Sequence, residues 1–212
     1  LPLRLHFQEK LDEIRSDVIR MGNDANEMVR MAVDATLNGD LDLATRVMAA
    51  DDRVDALERS TLSKTIVAVM QEAPVAADLR FLVCTLGVVG EIEKVGDHAV
   101  KLARRATKLS GNFPAEMRVA LQELGELARK EFSGALRLYC DFSSTLAQEI
   151  IAGDQAVDTA YSRARNEVFG LIRQNPSSTE TLVRCIECFH ALEHVADNAV
   201  AIASRMSMIH SH

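Results

Sequence analysis

Tryptophan is absent, and aromatic residues make up only 4% of the 212 residues. Base-stacking platforms for nucleic acids need aromatic faces, so that class of function is disfavoured. Basic residues are not in excess either: 24 Lys and Arg stand against 31 Asp and Glu, a formal net charge of −7. The chain therefore lacks the electrostatic footprint of a nucleic-acid binder. No apolar run approaches the roughly 20 residues that span a bilayer; LVCTLGVVG, residues 82–90, is among the longest. The opening LPLRLHFQEKLDEIR carries neither the apolar stretch nor the small-residue cleavage site of a secretory signal. Four cysteines, Cys84, Cys140, Cys185 and Cys188, are too few for a disulfide framework in a chain of this length, which points to a reducing cytoplasm. With only 10 Gly and 4 Pro, chain-breaking residues are scarce. What remains is rich in Ala, Leu, Val and Glu, the composition of an all-helical protein.

The few breakers divide the chain into six helices. The first runs from about His6 to Leu37 and stops at Asn38-Gly39; Asp40 caps the second, which reaches Glu72. Pro74 suits the first turn of the third helix, which ends near Ser110-Gly111-Asn112. Pro114 opens the fourth, ending between Tyr139 and Phe142. Ser143 or Ser144 caps the fifth, and Asn175-Pro176 closes it. Ser177 to Thr179 cap the sixth, which reaches the His210-Ser-His212 terminus, read as a frayed end or an added tail. Each helix is roughly 30 residues, or about 45 Å long.

The chain repeats itself. NGDLDLATRVMAADDRVDALE (38–58) matches DFSSTLAQEIIAGDQAVDTAY (141–161), so that Asp51, Val54 and Asp55 align with Asp154, Val157 and Asp158, 103 residues on. The same spacing relates Gly22 to Gly125. Further along, EKVGDHAVKLA (93–103) matches EHVADNAVAIA (193–203) at a spacing of 100, so the second copy is three residues shorter near its second helix hairpin. Two copies of a three-helix unit predict two tandem, pseudo-repeated antiparallel three-helix bundles, residues 1–112 and 113–212.

Carboxylates recur where the copies match. Copy one carries Asp51 and Asp55 on its second helix and Glu93 and Asp97 on its third; copy two carries Asp154 and Asp158, then Glu193 and Asp197. Each pair is spaced i, i+4, so both members share a helix face and repel. Glu93 and Asp97 sit among Val89, Gly90, Ile92, Val95, Gly96, Ala99 and Val100, an apolar neighbourhood in which carboxylates need partners or protons. A cation held between two helices resolves that repulsion, and oxygen ligands suit magnesium, manganese, calcium or ferric iron. Asp55 precedes Ala73 by about as many residues as Glu93 follows it, so the pairs should face one another across the hairpin.

Other motifs carry less. His190-Ala-Leu-Glu193-His194 fits the H-x-x-E-H zinc pattern, but Glu193 already has a counterpart in Glu93 and no third zinc ligand is identifiable. Either histidine can still join the second carboxylate site, since His190, Glu193, His194 and Asp197 share a face. Cys185-Ile-Glu-Cys188 is a lone CxxC in a helical pattern and reads as buried cysteines. A ferritin-like di-iron enzyme needs two E-x-x-H motifs, and only Glu187 with His190 supplies one. No phosphate-cradling glycine loop is present.

ADDRVDALE, PVAADLRFLV and EKVGDHAVKLA resemble the signature segments of the PhoU family, phosphate-uptake regulators of bacteria. The resemblance implies tandem three-helix bundles, no enzymatic activity, and multinuclear metal sites at acidic E(D)-x-x-x-D motifs, which in this chain are the four pairs above. Iron, zinc, manganese and magnesium are the candidate ions. It also implies a cytoplasmic regulator, peripheral at the inner face of the membrane, that restrains phosphate uptake together with the phosphate-specific ABC transporter and a sensor histidine kinase. A homodimer is expected. The chain departs from the pattern in copy two, which lacks the Asp78-Leu-Arg80 segment, has Tyr161 in place of Glu58 and has Asn198 in place of His98. The rival readings are the di-iron enzyme and a metal-free helical scaffold.

Overall fold

The computed structural model describes residues 2–109 and 112–210. Six helices follow in order: α1 Pro2–Asn38, α2 Leu41–Glu72, α3 Ala76–Leu109, α4 Arg118–Cys140, α5 Ser144–Gln174 and α6 Thr179–His210. No strand occurs among the described residues. α1, α2 and α3 pack as one three-helix bundle and α4, α5 and α6 as another.

Local chemistry sets most boundaries as the sequence implies. α1 ends at Gly39, which adopts a left-handed φ of 66° that costs glycine nothing. Asp40 then caps α2 by accepting from the Leu43 N–H at 2.8 Å, and Ser143, its counterpart in copy two, caps α5 through the Leu146 N–H at 3.2 Å. Three expectations need correction. Pro74 lies outside α3, which starts at Ala76, because the link is built from two alanines in left-handed conformations, Ala73 at φ 46° and Ala76 at 49°. α4 has 23 residues rather than about 30, since a 3-10 turn, Ala115–Met117, takes up the segment after Pro114. His210 is not frayed: it ends α6, with its ring stacked 3.8 Å from Phe142. Ser110 and Gly111, the expected stop of α3, and Ser211 and His212 lie outside the described residues.

The two bundles do not keep separate cores. α3 packs along α6 as closely as any pair within a bundle, and α1 crosses α4, so α1, α3, α4 and α6 form the centre while α2 and α5 cover opposite flanks. One apolar cluster runs through both copies and includes Val88, Ile92 and Val95 of α3 with Leu192, Val195 and Ala199 of α6. A smaller cluster, Leu11, Ile14, Ala68 and Leu82, closes one end of the first bundle. The contacts between copies are themselves paired. A Cβ on Gly22 would meet Leu136, and one on Gly125, its counterpart, would meet Val33, the counterpart of Leu136. The halves therefore face each other about a pseudo-twofold axis, and the missing side chains are what let α1 and α4 approach.

Candidate metal centres and the seam between the copies

In copy one the acidic face of α2 is turned toward α3. A Cβ on Gly96 of α3 would lie 3.4 Å from Asp51 Oδ1, an ordinary van der Waals contact, so the carboxylate lies directly against the backbone of α3. The carboxyl of Asp51 is raised above its ordinary range by burial first, then by the negative charges of Asp55, Asp97 and Asp52, with Arg104 opposing. Glu93 on α3 is raised by burial and by Asp97, Glu58, Asp55 and Asp51. Glu58, one turn beyond Asp55, is raised by burial and by Asp55. Residues from two helices thus press on one another as like charges, and their countercharges are weak: Arg59 stands 3.8 Å from Asp55 and Lys101 3.9 Å from Asp97, both exposed.

Copy two repeats the arrangement on α5 and α6. Asp154 is raised by burial, then by Asp158 and Asp197. Glu193 is raised by burial, then by Asp197, with Asp158 and Asp154 contributing and His194 opposing. The histidines change the site's chemistry. Glu193 Oε2 is buried with no hydrogen-bond partner, 3.8 Å from His190 Nε2 and 3.6 Å from His194 Nδ1. Among the described residues these three are the only group whose ligand atoms all lie within 4.8 Å of one another. The four carboxylates of copy one face one another at looser spacing.

Glu131 of α4 was not among the residues singled out by the repeat, because its counterpart is Met28. It is 9% exposed, its Oε2 is buried without a partner, and its pKa is pushed up to about 7 by burial first and then by Asp154. Lys130 opposes that shift and Asp158 adds to it. A third carboxylate-bearing helix therefore borders the α5–α6 site. The signal available in the sequence was a glutamate on the apolar stripe Leu124, Ala128, Ala135 and Leu138.

The remaining motifs resolve into structure. Cys185 and Cys188 are free and buried, and burial pushes the Cys185 thiol up to about 12, so neither is poised as a thiolate. Glu187, half of the lone E-x-x-H, is engaged by Arg105 Nε at 2.5 Å. Asp78 and Arg80 are exposed on the first turns of α3.

The seam between α3 and α6 holds two polar networks related by the pseudo-twofold. In one, the buried carboxylate of Glu91 accepts from Asn198 Nδ2 at 2.9 Å and Arg205 Nη2 at 3.0 Å, and Lys94 Nζ lies 3.3 Å away. Burial opposes ionisation there, but those three donors outweigh it and hold Glu91 below the ordinary carboxylate range. In the other, Ala191 stands where Glu91 would be. A cavity of about 310 Å3 opens there, lined by His98, Lys101, Arg105, Glu187, His190, Ala191 and His194. His98 stacks on His194 at 5.1 Å and is pushed down to about 4 by burial first, then by Lys101, His194, His190 and Lys94.

The PhoU domain family model matches this chain twice, at residues 18–106 and 121–206, one match in each bundle. The chain belongs to the PhoU domain family. Among its relatives is the phosphate-specific transport system accessory protein PhoU homolog of Pseudomonas aeruginosa, 29% identical over 199 residues, covering 93% of this chain and 82% of the relative. The PhoU homolog of Clostridium acetobutylicum is 26% identical, covering 92% of this chain and 90% of that one. The crystal structure of PhoU from Pseudomonas aeruginosa superposes with a TM-score of 0.91 at 28% identity, covering 96% of this chain and 98% of that one. PhoU from Streptococcus pneumoniae shares the fold, with a TM-score of 0.88 at 21% identity over 96% of each chain.

Proposed function

We propose that this PhoU-family protein is a non-enzymatic regulator of a phosphate-specific transport system that works in the cytoplasm through protein contacts and carries a metal site in each copy. The observation that carries the reading is the likeness over more than nine-tenths of the chain to proteins described as phosphate-specific transport system accessory proteins. No helix among the described residues is long and apolar enough to cross a membrane, so association with a transporter falls to exposed surface. Such surface is present at the α2–α3 end, where Ile66, Val67, Met70, Val75 and Val83 are exposed beside Asp78 and Arg80.

The donor sets fit metal ions. Asp51, Asp55, Glu93 and Asp97, with Glu58 adjacent, offer hard oxygens whose mutual repulsion a cation relieves; this set suits magnesium, manganese or ferric iron. Asp154, Asp158, Glu193 and Asp197 with His190 and His194 suit zinc or iron, and the partnerless Glu193 Oε2 is the atom a metal would satisfy. Bound metal would neutralise the acidic faces and clamp α2 to α3 and α5 to α6. This chain's own part is to hold weakly compensated carboxylates on facing helices so that the clamp depends on the ion. The homodimer and the sensor kinase remain part of this proposal.

Deleting the gene should leave phosphate-starvation genes switched on in rich phosphate, and restoring the chain should silence them. Normal repression in the deletion strain, with no paralogue present, would overturn the regulatory reading. Oxygen-dependent iron oxidation at enzymatic rates by the purified protein would favour the di-iron rival instead.

A further inference from the structure

The pseudo-twofold supplies an internal comparison at the α3–α6 seam. Residues 100 apart occupy equivalent places: Glu91 and Ala191, Lys94 and His194, His98 and Asn198, Arg105 and Arg205. Both arginines keep their direction across the seam, Arg205 toward α3, where it crosses Gly87 and reaches Glu91, and Arg105 toward α6, where it meets Glu187, the counterpart of Gly87. On one side of the axis the polar partners close on a carboxylate that the chain itself supplies. On the other the arginine is kept and histidines stand in for the asparagine and the lysine, but the carboxylate has been replaced by a methyl group and the space is open.

We infer that the cavity between α3 and α6 lined by His98, Lys101, Arg105 and His194 binds a small oxyanion of carboxylate or phosphate type, which takes the place that the Glu91 carboxylate fills in the other half of the seam. Lys101 and Arg105 supply fixed positive charge, and Arg105 has guanidinium N–H donors beyond the Nε that meets Glu187. The imidazoles of His98, His190 and His194 line the wall. Glu187 removes part of the charge, so a small anion is favoured over a highly charged one. Ala191 is buried and forms the floor, so an anion entering from solvent rests against the seam itself. Two or three charge-assisted hydrogen bonds correspond to millimolar or somewhat tighter binding. The site borders the proposed metal centre of copy two and shares the His190 and His194 side chains with it, but it needs no metal, and it joins the two copies rather than the two helices of one hairpin.

The test titrates the full chain, in chelator, with inorganic phosphate and in a parallel arm with acetate, following heat and the imidazole resonances of His98. Saturable binding near millimolar concentration that moves His98 is expected, and the stronger arm identifies the oxyanion class. Ala191→Glu, which returns the missing carboxylate, should fill the cavity and abolish binding with helicity intact. Lys101→Gln, at an exposed position, should weaken binding about tenfold, and it carries the test if the glutamate variant does not fold. The inference is overturned if neither anion binds, if Ala191→Glu binds as the parent does, or if binding appears only when zinc is added, since the anion would then be a ligand of a metal and not of this cavity.

Discussion

The two copies descend the same helical plan and differ in what they bury beneath it. Copy one puts Met28 under its acidic face, where its Cε lies 3.9 Å from a Cβ on Gly96. Copy two puts Glu131 at the equivalent place, and the neighbouring small residue moves: Ala196 replaces Gly96, while Gly153 stands where copy one has Ala50. A Cβ on Gly153 would lie 2.6 Å from Glu131 Oε1, so the glycine is where the buried carboxylate needs it. Copy one is a set of carboxylates over an apolar floor; copy two is a set of carboxylates and imidazoles over an acidic one. Divergence has kept the facing i, i+4 pairs and altered what surrounds them, so the ions favoured by each should differ more than the helices do.

Removing the facing carboxylates breaks the comparison most severely. Asp55→Asn with Asp97→Asn should abolish binding of manganese at copy one, leaving copy two loaded and helicity nearly unchanged, as metal analysis with circular dichroism would show. Full occupancy in the double variant would disprove the assignment.

Metal preference and pH sharpen it next. Imidazole must be neutral to ligate, and His190 is pushed below its ordinary value of 6.5 by burial first and then by His194. Zinc at copy two should therefore hold steady from pH 8 down to about 6.5 and be lost below that. The all-carboxylate set of copy one should hold manganese to lower pH. Zinc and manganese titrations at stepped pH would read the difference, and parallel losses at both sites would erase it.

A moderate effect is expected at Glu131. Its pKa of about 7 in the folded chain stands above the ordinary 4.5, so the native state keeps a proton that the unfolded chain releases. Stability of the metal-free protein should therefore fall as pH rises from 4.5 to 7. Glu131→Gln should gain about 1–3 kcal/mol at pH 8 and almost nothing at pH 4.5, measured by thermal unfolding in chelator. Met28→Leu in copy one should show no such pH dependence.

The smallest effect concerns the links between hairpins. Ala73→Gly relieves a left-handed alanine that copy two does not have, since Asn175 takes that place at φ −137°. It should raise stability by about 0.5–1 kcal/mol, while glycine at Asn175 should not stabilise.

Much of this was legible in the sequence because it is written in local rules or in the repeat. Asp40 and Ser143 announce their helices by hydrogen-bonding chemistry that needs no tertiary context, and the duplicated D-x-x-x-D segments place the acidic faces before any packing is known. Pro74 was misleading because a first-turn proline and a proline just before a helix look alike in sequence, and the choice was made by the two left-handed alanines beside it. Glu131 escaped because it does not recur, and its partners, Gly153 and Asp154, lie on another helix. The cavity at Ala191 could not be read at all: it exists only because α3 and α6 of different copies pack together, and helical periodicity says which face is apolar without saying which helix covers it.

Crystals of the metal-free protein soaked separately in manganese and in zinc, with anomalous scattering recorded for each metal, test the account most directly. The account predicts manganese between α2 and α3 on Asp51, Asp55, Glu93 and Asp97, and zinc between α5 and α6 with His190, Glu193 and His194 among its ligands. Both metals distributed equally over the two hairpins, or neither metal on these residues, would contradict it.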